Sequence, residues 1–241
     1  MPCLGILGGG QLARMLALKA HEMGVPVRVF CQSENEPAAL VTSKPFIGQL
    51  DSAKDLREFL KSVDIATFES EFLNAELLSS LSRELKVPIY PDPKHMGKLQ
   101  DRLTQKLLLL ENKIPTARFL EVRNFADLLE AWDEFKKQGL VLKKRRFGYD
   151  GYGTYIVKNF SELLDLEATI EKEKFGFIAE EFLSFKRELA VMVTRNRNHE
   201  ITVLPFVESL QKNSKCFWVK GPINKPEFKK IGKRLKGFLQ D

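Results

Sequence analysis

The sequence predicts an α/β protein in two parts: a Rossmann-like parallel-sheet domain over residues 1–92 and an α+β module over residues 93–241. Three observations carry this. Strand-like and helix-like segments alternate through the first 90 residues, the pattern of a parallel sheet flanked by helices. Pro88, Pro91 and Pro93 then punctuate the chain and mark a boundary. Beyond them the strands come in closer succession, with a hairpin-like polar turn at Asn196-Arg197-Asn198-His199, as in a mostly antiparallel sheet. A length of 241 residues suits two compact domains.

Residues 3–7 form a short apolar run that ends in Gly8-Gly9-Gly10. Leu12, Met15, Leu16 and Met23 recur at helical spacing over residues 11–23, and Gly24 supplies the stop. Strands are expected at 25–31, 46–50, 65–68 and 87–90. Helices are expected from an Asp51 N-cap to Ser62 and over 74–84. In the second part a long helix spans 94–111, closed by Asn112 and Pro115. A strand at 117–122, a helix at 125–138 stopped by Gly139, and a strand at 140–144 follow. A glycine-rich turn leads to a strand at 154–157, a helix from Ser161, and strands at 176–181, 187–195 and 201–207. Pro226 opens a last helix whose stripe of Phe228, Ile231, Leu235, Phe238 and Leu239 is expected to pack on a sheet.

Composition narrows the function classes. The net charge of +6 is local, because residues 212–241 carry nine Lys/Arg against two Asp/Glu and the remainder sums to −1. Nucleic-acid binding wants a basic stripe across a folded face, so no nucleic-acid partner is expected. No apolar run reaches membrane-spanning length, and the glycine cluster comes too early for a signal peptide. The chain is therefore expected in the cytoplasm, away from membranes. Cys3, Cys31 and Cys216, like His21, His95 and His199, are too scattered for a disulfide frame or a zinc site, so no metal ligands are assigned.

Two segments carry chemistry. Gly8-x-Gly10-x-x-Ala13 lies between a strand and a helix, the setting of a dinucleotide fingerprint. The second strand, however, offers Glu34 only after Gln32, a poor match to the ribose acid. A packed turn without dinucleotide, or a different phosphate-bearing substrate, fits the same residues. The second segment is Val141-Leu142-Lys143-Lys144-Arg145-Arg146-Phe147-Gly148-Tyr149-Asp150-Gly151-Tyr152-Gly153. Its cations grow out of an apolar strand, and alternation points Lys143 and Arg145 to one face. A lysine at a strand end beside a glycine loop suits a polyphosphate. Downstream, Glu180-Glu181-Phe182-Leu183 and Glu188 can supply backbone groups, apolar walls and a ribose carboxylate for a nucleotide.

These pieces occur in a recognisable order. Gly8-Gly9-Gly10-Gln11-Leu12-Ala13-Arg14-Met15-Leu16, Thr67-Phe68-Glu69, Asp101-Arg102-Leu103-Thr104-Gln105-Lys106, Gly148-Tyr149-Asp150-Gly151-x-Gly153, and Glu180 with Glu188 together resemble the 5-(carboxyamino)imidazole ribonucleotide synthases, ATP-grasp enzymes of purine biosynthesis. The resemblance implies an N-terminal substrate domain followed by an ATP-grasp module. It also implies ATP with Mg2+, aminoimidazole ribonucleotide and bicarbonate as substrates, and a homodimer. Carried over by position, Arg102 and Lys143 would hold ATP phosphates under the loop Gly148, Tyr149, Asp150, Gly151, Tyr152, Gly153 and Thr154. Glu180, Glu181, Phe182 and Leu183 would line the adenine hinge, Glu188 would take the ribose, and Gln211 would stand at a nucleotide-contacting position. Gln11, Leu12 and Glu69 would face substrate, and Lys143, Tyr149 and Glu69 would act in catalysis.

The chain departs from the family pattern within its motifs and beyond them. Thr154 replaces a Gln, Phe72 and Ser209 each replace an Asn, and Gln211 replaces a His. The family's magnesium-bearing strands and H-N-S-G-H segment are expected beyond residue 241, so the ATP-grasp module is read as incomplete. Two readings follow: an ATP-dependent carboxylating ligase, or a non-catalytic relative or fragment that binds adenine nucleotide without turnover.

Overall fold

A computed structural model of the chain describes residues 1–149, 151–212 and 215–239. It contains two compact units, Met1–Asp101 and Arg102–Asp241.

The first unit runs β1 (Leu4–Leu7), α1 (Gln11–Glu22), β2 (Val27–Cys31), β3 (Phe46–Ile47), α2 (Ala53–Leu60), β4 (Ile65–Phe68), α3 (Ala75–Leu85) and α4 (Pro93–Leu99). Its four strands are parallel in the order β3-β2-β1-β4. Each central strand buries both faces, as a parallel sheet covered on two sides requires. Ile6 and Val29 pack with Ala13 and Ala17 of α1, whereas Leu7 and Phe30 pack with Leu56, Phe59 and Leu60 on the opposite side.

Several sequence expectations are corrected here. The large apolar residues of α1 do not form its buried face: Leu12, Met15 and Met23 are exposed, and Ala13, Ala17 and Ala20 meet the sheet. Alanine lets the helix axis approach the strands closely, which the larger side chains would prevent. Helix α2 is capped by Ser52, whose hydroxyl accepts from the Asp55 N–H at 3.2 Å, and not by Asp51. The strand expected at 87–90 is a single parallel bridge between Ala66 and Ile89.

The expected helix over 94–111 is two helices. The Gln100 amide donates to the Glu71 and Leu73 carbonyls, each at 2.6 Å, and so fixes the end of α4. The Arg102 N–H goes to the Arg145 carbonyl at 2.9 Å, so a new helix, α5 (Arg102–Glu111), starts in the second unit.

That unit continues with β5 (Phe119–Val122), α6 (Phe125–Phe135), β6 (Leu140–Lys144), β7 (Thr154–Val157), α7 (Phe160–Leu164), α8 (Glu167–Glu171) and β8 (Phe177–Glu181). Helices α6 and α7 are capped by Asn124 and Asn159, which accept from the Asp127 and Glu162 N–H groups. The strands form an antiparallel sheet in the order β5-β8-β6-β7. One face carries Leu140, Leu142, Val122, Phe177 and Ala179 into a core with Leu128, Ala131, Phe135, Leu163 and Ile170.

Next come β9 (Glu188–Ala190), β10 (Val193–Arg195), β11 (Ile201–Val203), β12 (Phe206–Lys212), β13 (Lys215–Ile223) and α9 (Pro226–Phe238). The expected strands 187–195 and 201–207 are each split, because β10 and β11 pair as a hairpin while β9 joins the sheet β13-β12-β9. Strand β13 was not foreseen. The expected packing of the terminal helix holds at its start, where Phe228 is buried and stacks on Phe206 at 4.8 Å. Among the described residues no helix is long and apolar enough to cross a membrane.

Candidate functional site

In the first unit the strand order makes β1 and β4 neighbours whose chain connections leave in opposite directions. The C-terminal ends of such strands are where doubly wound sheets place ligands. The turn Gly8-Gly9-Gly10 follows β1 and Glu69 follows β4. The Glu69 carboxylate accepts from the Gly10 N–H at 3.1 Å, and its backbone N–H bonds to the Leu7 carbonyl. A Cβ on Gly8 or Gly10 would lie 2.7 or 2.8 Å from the Glu69 carboxylate, and Gly8 has φ +120°. The glycines are therefore required by a close-set acid. Gln11 and Leu12 project from the first turn of α1 beside it, both exposed. On the far side, Glu36 accepts from the Gln32 N–H at 2.8 Å and leaves no room for a Cβ on Gly9. Two carboxylates thus frame the glycine turn, which disfavours the pyrophosphate of a dinucleotide there.

In the second unit, strand pairing puts Phe119, Glu121, Val141, Lys143, Ile178 and Glu180 on the sheet face opposite the core. Lys143 Nζ donates to Glu180 Oε2 at 2.9 Å. Arg145 pairs with Glu121 at 2.7 Å, so Lys143 and Arg145 do share a face as alternation requires. Lys144 turns away to Glu173 at 2.7 Å and lies over the Tyr152 ring; its hydrogen bond to Glu173 raises its pKa.

Glu180 has a second cationic partner, Lys106 of α5, at 3.3 Å. Lys106 also donates to Thr116 Oγ1 at 2.6 Å and lies over the Phe119 ring. Burial lowers the Lys106 pKa, Glu180 opposes that shift, and Lys143 adds to it. Two lysines thus converge on one buried carboxylate at the end of an apolar sheet face, with more cationic charge than the acid can neutralise. Such a face attracts a polyanion. Lys106 was missed by sequence reasoning as a site residue. Its signal was its place four residues after Arg102, on the same side of α5.

The remaining residues fall into three groups. Arg102 donates to the carbonyls of Lys144 (2.7 Å) and Gly148 (3.0 Å), at the base of the glycine loop. In that loop Tyr149 and Tyr152 are exposed, and the Tyr152 and Thr154 N–H groups bond to the Tyr149 and Gly151 carbonyls. Gly151 and Gly153 have φ of +82° and +74°; Asp150 lies outside the described residues.

At the end of β8, Glu181 alternates away from Glu180. Its carboxylate accepts from the Arg118 N–H and guanidinium, which lowers its pKa. The Glu181 and Phe182 N–H groups are taken by the Arg118 and Gly139 carbonyls. Among the described residues the Leu183 N–H takes no backbone carbonyl.

Glu188 and Gln211 meet across β9 and β12, where Glu188 Oε1 accepts from Gln211 Nε2 at 3.4 Å and from Ser209 Oγ at 3.2 Å. Ser209, which stands where the family has an Asn, was not expected to meet Glu188. Among the described residues no three His, Cys, Asp or Glu side chains lie together as a group that could hold a metal ion.

Comparison with known proteins bears on this geometry. Residues 107–236 match the ATP-grasp domain family, and residues 1–100 match the ribonucleotide synthetase preATP-grasp domain. The N5-carboxyaminoimidazole ribonucleotide synthase of Synechococcus elongatus is 34% identical over 221 residues, which cover 91% of this chain and 54% of that protein. The phosphoribosylaminoimidazole carboxylase of Candida glabrata is 31% identical over 228 residues, covering 93% of this chain and 39% of that protein. The chain spans about half the length, or less, of these relatives. Among solved structures, the N5-carboxyaminoimidazole synthetase of Staphylococcus aureus complexed with ADP matches with a TM-score of 0.92 at 29% identity, over 99% of this chain and 63% of that one. The Aspergillus clavatus N5-carboxyaminoimidazole synthase in complex with ADP and 5-aminoimidazole ribonucleotide matches with a TM-score of 0.86 at 25% identity, over 99% of this chain and 62% of that one.

Proposed function

Because the chain belongs to the ATP-grasp family, we propose that it takes part in ATP-dependent carboxylation of aminoimidazole ribonucleotide with bicarbonate. The observation that carries this reading is the convergence of Lys106 and Lys143 on Glu180 beside the glycine loop. In this reading the triphosphate draws on Lys143, Lys106 and Arg102, and residues 148–154 cover it. Adenine lies at 180–183 and meets the Leu183 N–H, while Glu188, with Gln211 beside it, takes the ribose hydroxyls. The ribonucleotide is held in the first unit at Gln11, Leu12 and Glu69.

A bicarbonate oxygen attacks the γ-phosphorus and ADP leaves, giving carboxyphosphate. The ribonucleotide amine then attacks its carbonyl carbon, expelling phosphate. The side chains contribute positive charge where negative charge develops on the transferring phosphoryl group, with Lys143 nearest and Tyr149 on the covering loop. Glu69 serves as the acceptor facing the amine. Magnesium accompanies ATP in this proposal, but no step is assigned to it, since the described residues offer no ligand set. The working form is proposed, on the family resemblance, to be a cytoplasmic homodimer.

The departures at Phe72, Thr154 and Gln211 favour a second reading, adenine-nucleotide binding without turnover. Phosphate release from ATP separates the two. Release that requires both bicarbonate and the ribonucleotide is the outcome expected of the carboxylating reading. Release absent under all four combinations, from protein that still binds ATP, supports the second.

A further inference from the structure

We propose that the outer face of α1 is a self-docking surface, on which a second copy of this chain packs its own α1 antiparallel about a two-fold axis at Leu18. The surface is argued from α1 itself. It gives the homodimer of the reading above a place, and the experiment below keeps the two separable.

Helix α1 is apolar on two sides. Ala13, Ala17 and Ala20 cover the sheet, yet Met15, Leu18 and Met23 are 59%, 43% and 70% exposed. A helix with apolar residues all round is a buried helix, so the outer side calls for a cover of its own. The turn Ala39–Val41 packs beside α1 through Ala39, and its Leu40, 70% exposed, widens the patch. A contiguous apolar patch rimmed by charge marks an association site. Leu12, nearest the glycine turn, is left to the substrate site.

The charges on α1 identify the cover. Arg14, Leu18 and Glu22 follow at intervals of four and form one row along the helix. Glu22 pairs with Lys19 at 2.7 Å, both well exposed, while Arg14 has no ion-pair partner among the described residues. The row carries one charge of each sign, so it complements a copy of itself better than a strongly acidic or strongly basic surface. Antiparallel packing about a two-fold axis sets the row against its own copy. Leu18 then meets the partner subunit's Leu18. Arg14 meets the partner subunit's Glu22, and by symmetry this pair forms twice. The helix dipoles oppose as well, each N-terminus lying near a C-terminus. A parallel pair would instead set Arg14 on the partner's Arg14 and Glu22 on the partner's Glu22.

The test is sedimentation velocity of the full chain at micromolar concentration. The native chain should sediment as a dimer. Leu18→Glu sets two carboxylates together at the axis and should leave monomer, with far-ultraviolet circular dichroism unchanged. Arg14→Glu and Glu22→Arg each set like charges opposite one another and should weaken self-association about tenfold, whereas the two together should restore it. A double variant no tighter than either single one overturns the antiparallel placement. A dimer that survives Leu18→Glu overturns this surface, while the homodimer itself would stand on some other face. A native chain that is monomeric throughout overturns both.

Discussion

Replacing Glu180 with alanine destabilises the second unit by about 3 kcal/mol in urea denaturation. Removing one partner of a buried ion pair costs about 3–5 kcal/mol, because the other charge is left without compensation. Here the lower end applies, since Lys106 is 12% exposed but Lys143 is 30% exposed and can turn to water. The pH dependence has a definite sign. Burial already holds the Lys106 pKa below its ordinary 10.5, and Glu180 is the main group opposing that shift. Without Glu180 the folded-state pKa falls further, while the unfolded chain keeps the ordinary value. Between those two values the unfolded state binds more protons, so stability rises with pH. The deficit of Glu180→Ala therefore shrinks as pH climbs toward 10. A deficit that is flat or grows with pH would mean that Lys106 is not the stranded charge.

Lys143→Ala has the second large effect, on binding and not on folding. The carboxylate of Glu180 keeps Lys106 as a partner, so the variant stays folded. One charge-assisted bond to a phosphate contributes about 1.5–3 kcal/mol, which corresponds to a loss of ATP affinity of roughly 10- to 150-fold. Adenosine affinity should not change, because the proposed adenine hinge at 180–183 is left intact. ATP affinity equal to that of the native chain would show that the end of β6 does not meet phosphate.

Much of the first unit was legible because buried parallel strands leave little choice. Ile6 and Leu7 face opposite cores and are both fully buried, so the strand reads as an uninterrupted apolar run ending at glycine. Helix α1 was legible as a helix but not in its orientation. Spacing places Ala13, Ala17 and Ala20 on one face and larger residues on another, and hydropathy favours the larger ones. Close approach to the sheet is a packing demand that single-residue hydropathy does not encode.

The second unit was less legible for two physical reasons. Strand β13 is exposed from Lys215 to Pro222, so no buried face imprints a two-residue period on Lys-Cys-Phe-Trp-Val-Lys-Gly-Pro-Ile. The break between α4 and α5 depends on long-range partners, Gln100 with residues 71 and 73 and Arg102 with residue 145. Nothing within residues 94–111 announces either contact.

In the site, alternation along β6 placed Lys143 and Arg145 on one face as the structure has them, whereas Glu180 and Glu181 were read as one group although β8 turns them to different partners. Lys106 and Ser209 were not found, because each acquires its role only through strands distant in sequence. The meeting of Glu188 with Gln211 likewise follows from pairing of β9 with β12 across 23 positions.

The proposed hold of the second unit on an adenine nucleotide, with its phosphates on Lys106 and Lys143, is tested most directly by calorimetric titration of the native chain with ATP, adenosine and NAD in turn. The structure predicts saturable ATP binding, adenosine binding at the same site but weaker, and no displacement of ATP by NAD. A folded chain that binds no ATP, or one from which NAD displaces it, contradicts the assignment of that sheet face.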